Sequence, residues 1–183
     1  RMKIDNETPF ALAFVPGRGP EGTEGLTLIV KGTFSIVAGG AAQIAGDQLP
    51  ICYGDEFIDE KQGGSLRFES DLAPFKPRAD VILNGTAYAP PGTQASALEV
   101  SLQVGRLAKA IRVFGDRRWK CGGRFAAARL GPPAPFATMP LVYERAYGGI
   151  DTVGGGYCER NPIGRGYFRK KRKKSVDGAL APN

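Results

Sequence analysis

Residues 26–37 read LTLIVKGTFSIV, and their apolar positions recur every second residue. Leu26, Leu28, Val30, Phe34 and Ile36 fall on one face, with Thr27, Lys31, Thr33 and Ser35 mostly on the other. That period predicts a strand half buried on its apolar side. Gly39-Gly40 and the following AAQIA predict a hairpin closed by a glycine turn. The stretch 16–25, PGRGPEGTEG, reads as a loop by composition. Leu66 and Phe68 begin a short strand, and two prolines hold a turn over 71–77. A further strand is expected over 80–87, with Val81, Leu83 and Ala87 on one face. The clearest unit is 98–114. Leu98, Val100, Leu102 and Val104 alternate with polar residues, Gly105-Arg106 turns the chain, and Leu107, Lys109, Ile111 and Val113 continue the alternation. This predicts an antiparallel hairpin. Residues 131–140 are proline-rich and read as a loop, and the chain after Ala146 is glycine-rich to Arg165.

No segment of ten or more residues carries a helical period. The chain has 26 glycines and 14 prolines, spread along its length. Such punctuation favours many short strands joined by turns over a helical bundle. The expected fold is mainly β: an antiparallel β-sandwich or open barrel-like fold of short strands and hairpins, with long Gly/Pro loops and little helix. A length of 183 residues suits one domain, expected over 2–183. A hydrophobic share of 42% and a charged share of 23% are ordinary for a globular protein. No apolar run approaches 18 residues, so no membrane span is expected. The early residues Met2-Lys3-Ile4-Asp5-Asn6 are too polar for a secretory signal. Cys52, Cys121 and Cys158 are odd in number and scattered, which suggests reduced thiols and a cytoplasmic location.

The formal charge is +7, and Arg169, Lys170, Lys171, Arg172, Lys173 and Lys174 stand in a row; +7 less these six leaves +1. The body is thus nearly neutral and the basicity sits in one loop segment. Such a run either contacts nucleic acid or an acidic partner, or is a solvated loop. No aromatic platform or groove motif accompanies it, which favours the solvated loop. A nucleic-acid-binding module built on 169–174 is the alternative reading.

Histidine is absent. That removes Ser-His-Asp and Cys-His catalysis and the commonest zinc ligand, and no metal or cofactor is expected. Asp71 with Asp80, or Asp116 with Glu144, could form the acid/base pair of a hydrolase, but nothing in their spacing demands it. GGGY at 154–157 and GRGY at 164–167 lack the strand–helix setting and the GK[ST] of a phosphate loop. The stretch 140–149, PLVYERAYGG, crowds charge, rings and glycine. Read as a strand, it places Leu141, Tyr143, Arg145 and Tyr147 on one face and Val142, Glu144 and Ala146 on the other. Glu144 and Arg145 then point apart, and each needs a partner from elsewhere. GDRRW at 115–119 supplies Asp116, Arg117 and Arg118. The expectation is that Glu144 meets an arginine of GDRRW and that Arg145 meets Asp116 or another acid. Such a network is a polar staple between loops, without chemistry of its own.

Several phrases, in order over nearly the whole chain, carry a resemblance: MKIDNETPF, VKGTF, SDLAPFKPRADVILNGTAYAP, VGRLAKAIRVFGDRRWK, MPLVYERAYGG, NPIGRGY and ALAPN. Together they resemble the domain-of-unknown-function 2169 family, found beside type VI secretion genes in Gram-negative bacteria. The resemblance implies a non-enzymatic adaptor or chaperone. Such a protein would hold a secreted effector in the cytoplasm and help load it onto the VgrG spike, with its PAAR tip. The resemblance places the family's motif positions at Asp71, Lys76, Pro77, Asp80, Gly85, Gly115, Asp116, Arg117, Trp119, Pro140, Glu144, Arg145, Gly148, Gly149, Asn161, Pro162 and Gly164. With Arg118 and Tyr147, the polar and aromatic members of that set are the candidates for a structural network or a partner-binding surface. The run 169–174 is not part of the family pattern. Members commonly continue past ALAPN through a proline-asparagine-glutamate phrase, so a truncated chain is expected. An open strand edge that pairs with an effector segment would suit an adaptor.

Overall fold

The computed structural model describes residues 4–19, 21–59, 64–73, 76–122, 128–168 and 176–183. The basic run 169–174 lies outside the described residues. The chain folds as two compact units, Arg1–Glu56 with Leu66–Asp80, and Phe57–Ser65 with Val81–Asn183.

In the first unit, β1 (Ala11–Arg18) and β2 (Glu24–Lys31) form an antiparallel ladder, with Ala11 opposite Lys31 and Arg18 opposite Glu24. The expected loop over 16–25 therefore shrinks, because the first and last of its residues join the ladder. β2 ends before Gly32, where a Cβ would press on the rings of Phe10 and Phe34. β3 (Phe34–Ser35) and β4 (Gln43–Ile44) form the expected glycine hairpin, with Gly39 at φ +69°. The orientation of β2 differs from expectation. Leu26, Leu28 and Val30 are exposed, as is Phe14 opposite Leu28, while Thr27, Ile29 and Lys31 are turned partly inward. Buried Ala13 lies opposite Ile29 and marks the covered face.

The strands β5 (Glu56–Phe57) and β6 (Leu66–Phe68) stand where the chain passes from one unit to the other and back. In the second unit, β7 (Thr86–Tyr88) is all that forms of the strand expected over 80–87, and Val81, Ile82 and Leu83 are exposed. β8 (Ala97–Val104) and β9 (Leu107–Phe114) form the expected hairpin. Gly105 opens its two-residue turn at φ +58°, the left-handed value that a type II′ turn needs in this position. β10 (Trp119–Cys121) pairs with β11 (Ala128–Leu130), and β12 (Thr138–Pro140) pairs with β7. β13 (Tyr147–Gly148) and β14 (Arg165–Gly166) form a parallel pairing. The core gathers Ala87, Val113, Phe136 and Met139, with Leu98, Val100 and Leu141 packed against it.

The fold is mainly β, made of short and mostly antiparallel ladders. Among the described residues each sheet has two strands and none closes into a barrel. No helix among them is long and apolar enough to cross a membrane.

Candidate functional site

The candidate site is built around the turn that follows β9. The Gly115 amide donates to the Ser96 carbonyl (2.9 Å), and the Ala134 amide donates to the Asp116 carbonyl (2.9 Å). A Cβ on Gly115 would overlap the Ala134 carbonyl, so only glycine lets these two segments close. The turn delivers the Asp116 carboxylate to three donors. Its Oδ1 accepts from Arg165 Nη2 (2.7 Å), Asn183 Nδ2 (3.1 Å) and Arg145 Nη1 (3.2 Å). The Asn183 amide also reaches the Phe114 carbonyl (2.8 Å) and thereby spans the turn. The Asn183 hydrogen bond, with the charges of Arg145 and Arg165, outweighs burial and holds Asp116 below the usual carboxylate range. Arg165 is lowered by burial and by the like charges of Arg145 and Arg118, against the pull of Asp116.

Residues 140–149 do not form the expected strand. Tyr143–Arg145 is a single 3-10 turn between extended Val142 and Ala146. The turn still sends Glu144 and Arg145 to different partners. The amide of buried Ser65 donates to Glu144 Oε1 (2.8 Å) and its hydroxyl to Oε2 (2.6 Å). The same hydroxyl accepts the Tyr143 amide (2.7 Å). Burial opposes ionisation of Glu144, but the two Ser65 donors overcome it and its pKa is lowered. Buried Asn161 donates through Nδ2 to the carbonyls of Tyr143 (2.8 Å) and Tyr147 (3.2 Å). The motif glycines beside it have a steric reason. A Cβ on Gly148 would overlap the Asn161 carbonyl, and one on Gly149 the Gly164 carbonyl. The Gly-Gly and Asn-Pro-x-Gly phrases are thus two halves of one backbone contact.

The segment after residue 176 is laid along the 115–119 turn and held by backbone hydrogen bonds and a single antiparallel bridge, Leu180 to Arg118. The Trp119 amide donates to the Ala179 carbonyl (2.9 Å), the Gly178 amide to the Trp119 carbonyl (2.9 Å) and the Ala181 amide to the Arg117 carbonyl (2.9 Å). Val176 and Ala181 are fully buried. The Arg117 guanidinium donates to the Pro182 carbonyl through Nε and Nη2 (both 3.3 Å) and stacks 4.1 Å from the centre of the Phe114 ring. Arg118 Nη1 donates to the Gly178 carbonyl (2.7 Å). Beside this segment opens a cleft of about 390 Å³, lined by Asp116, Arg117, Arg118, Lys120, Pro132 and Leu180 among others.

The predicted pairing of Arg145 with Asp116 is present. The predicted partner of Glu144 is not an arginine of GDRRW; Glu144 binds Ser65, and Arg117 binds Pro182 and Phe114. The physical reason is that an amide and a hydroxyl together satisfy a carboxylate as well as a guanidinium does. Tyr147 is exposed and meets Tyr167 edge-on at 6.5 Å. Trp119 is held in β10 opposite Leu130. Three candidates belong to the first unit. There Asp71 Oδ2 accepts from Lys31 Nζ (2.7 Å) and from the Cys52 amide (2.7 Å). Burial works against its ionisation, and the Cys52 and Lys31 bonds more than offset that. Lys76 and Asp80 form a surface pair at 2.8 Å, and Asp80 raises the Lys76 pKa. Ser65, Arg165 and Asn183 escaped the sequence reading, although the last two stand inside the phrases NPIGRGY and ALAPN. Nothing around Ser65 marks it. Among the described residues no group of three or more His, Cys, Asp or Glu is placed to hold a metal ion.

A family model described as an uncharacterized protein conserved in bacteria, DUF2169, matches residues 21–183. No curated protein and no solved structure matches the chain.

Proposed function

The chain belongs to the DUF2169 family, and we propose that it is a non-enzymatic adaptor which binds a type VI secretion effector in the bacterial cytoplasm and helps load it onto the VgrG spike and PAAR tip. The observation that carries the reading is the uncovered apolar face of the β1–β2 ladder. Phe14, Leu28 and Val30 are 49%, 53% and 54% exposed, side by side on one sheet face. Contiguous apolar surface of this kind favours a protein partner over solvent. An eight-residue strand such as β2 also suits pairing with an extended segment of that partner. The carboxylates support a binding role over a hydrolytic one. Asp116 and Glu144 are both lowered in pKa and both engaged by donors, whereas a general acid needs a raised one.

The test is co-expression with the product of the adjacent candidate effector gene, followed by size-exclusion chromatography with light scattering. A stoichiometric complex that is lost in Leu28→Glu supports the proposal. Failure of the wild-type chain to form any complex overturns it.

A further inference from the structure

We propose that the cleft beside the 115–119 turn is a docking site for an acidic, extended peptide segment of the protein partner. An unbalanced set of charges lies on a built surface there. Arg118, bridged to Leu180 just before β10, and Lys120 within β10 are two residues apart along one extended stretch, so their side chains leave it on the same side. Arg129 stands directly opposite Lys120 in that ladder. Like charges at directly opposed positions repel. Among the described residues no acid pairs with Lys120 or Arg129. Among the described residues the one carboxylate lining the cleft, Asp116, is already bound to Arg145, Arg165 and Asn183. Three cations therefore share this face, and among the described residues none of them forms an ion pair: Arg118 reaches only the Gly178 carbonyl (2.7 Å), and the neighbouring Asp177 carboxylate accepts the Cys121 amide (2.9 Å).

The spacing selects the ligand. Side chains two apart on a strand are separated by about 6.6 Å, which is also the spacing of alternate side chains in an extended peptide. Glutamates or aspartates at every second position would meet Arg118 and Lys120 in register. Pro132, Ala134 and Leu180 give the cleft an apolar floor, which suits small apolar residues between the acids. Nucleic acid fits less well. Among the described residues no aromatic ring lines the cleft to stack a base.

This inference rests on the reading of the chain as a protein-binding module, but its test is separate. The probe is a fluorescein-labelled peptide of alternating Glu and Ala, titrated into the 183-residue chain and read by fluorescence anisotropy. The controls are an alternating Lys-Ala peptide and a single-stranded oligonucleotide of matched length. Expected is binding of the Glu-Ala peptide that weakens as salt rises, with no binding of the Lys-Ala peptide. Lys120→Glu should reduce the affinity at least 10-fold. The same variant places a glutamate opposite Arg129, so its urea midpoint should hold or rise, which separates loss of the site from loss of the fold. The inference is overturned by absence of Glu-Ala binding, by unchanged affinity in Lys120→Glu, or by an oligonucleotide that binds more tightly than the peptide. An effector complex that forms although the peptide does not bind sinks this site alone. Absence of any effector complex sinks the adaptor reading instead.

Discussion

Ser65 and Glu144, 79 residues apart in sequence, are joined by two hydrogen bonds of 2.8 and 2.6 Å, one from the serine amide and one from its hydroxyl. The hydroxyl that donates to Glu144 also accepts the Tyr143 amide, so one small side chain holds both the first backbone amide of the 3-10 turn and the side chain of its second residue. Hydrogen bonds to a charged group contribute about 1.5–3 kcal/mol each, more than neutral ones.

A double-mutant cycle on this pair follows. Ser65→Ala should destabilise the protein by about 1–3 kcal/mol, because it strips a buried donor and a buried acceptor. Glu144→Gln should cost less than a full truncation, since an amide oxygen still accepts. Combined, the two changes should be non-additive by about 1 kcal/mol in urea denaturation. Strict additivity would mean that the contact contributes nothing.

The glycines of the chain separate into those that need to be glycine and those that do not. Gly115 has no left-handed φ, yet its Cβ position is occupied by the Ala134 carbonyl. Gly115→Ala should therefore destabilise by about 3 kcal/mol, through overlap rather than backbone strain. Gly46, with nothing within 4 Å of its Cβ position, should accept alanine within about 0.5 kcal/mol. Equal urea midpoints for the two variants would refute the steric account.

The parts of the fold visible in the sequence were those in which the information is local. The β8–β9 hairpin follows from strict alternation and one glycine at the turn. The Arg145–Asp116 pair follows from the need of each charge for a partner. What stayed hidden depends on the far side of a contact. A period of two shows that Leu26, Leu28 and Val30 share a face, but it does not say whether that face is covered, and in the structure it is open. The turn at Tyr143–Arg145 depends on Ser65, which no local pattern marks. Arg165 and Asn183 were passed over because only the folded chain shows that Asp116 has room for three donors.

The open face of β2 and the core of the second unit should respond oppositely to truncation. Leu28 is half exposed and Met139 is 4% exposed. Leu28→Ala should shift stability by about 0.5 kcal/mol or less, as surface changes do. Met139→Ala should cost about 2–5 kcal/mol, because it empties volume beside Ala87, Val113 and Phe136. A loss at Leu28 as large as that at Met139 would show that the face is covered in solution, and the adaptor reading would lose its main support.

Below neutrality, stability should depend on pH only in the carboxylate range. Asp71, Asp116 and Glu144 all have folded pKa values lowered below their ordinary ones. For such groups the unfolded chain binds protons first as pH falls. Their contribution is complete above the unfolded carboxylate pKa, about 4, and is lost as pH drops through the lower folded values. The chain has no histidine, so no side chain of ordinary pKa titrates between pH 5 and 7. The urea midpoint should be flat from pH 7 to 5 and fall below about pH 4. Asp116→Asn removes one of the three carboxylates. It should start from a lower midpoint at pH 7 and show a shallower fall in acid, because the group that would have been protonated is gone. A midpoint that declines already between pH 7 and 5, or an acid limb unchanged in Asp116→Asn, would contradict the assignment of Asp116 as an ionised staple.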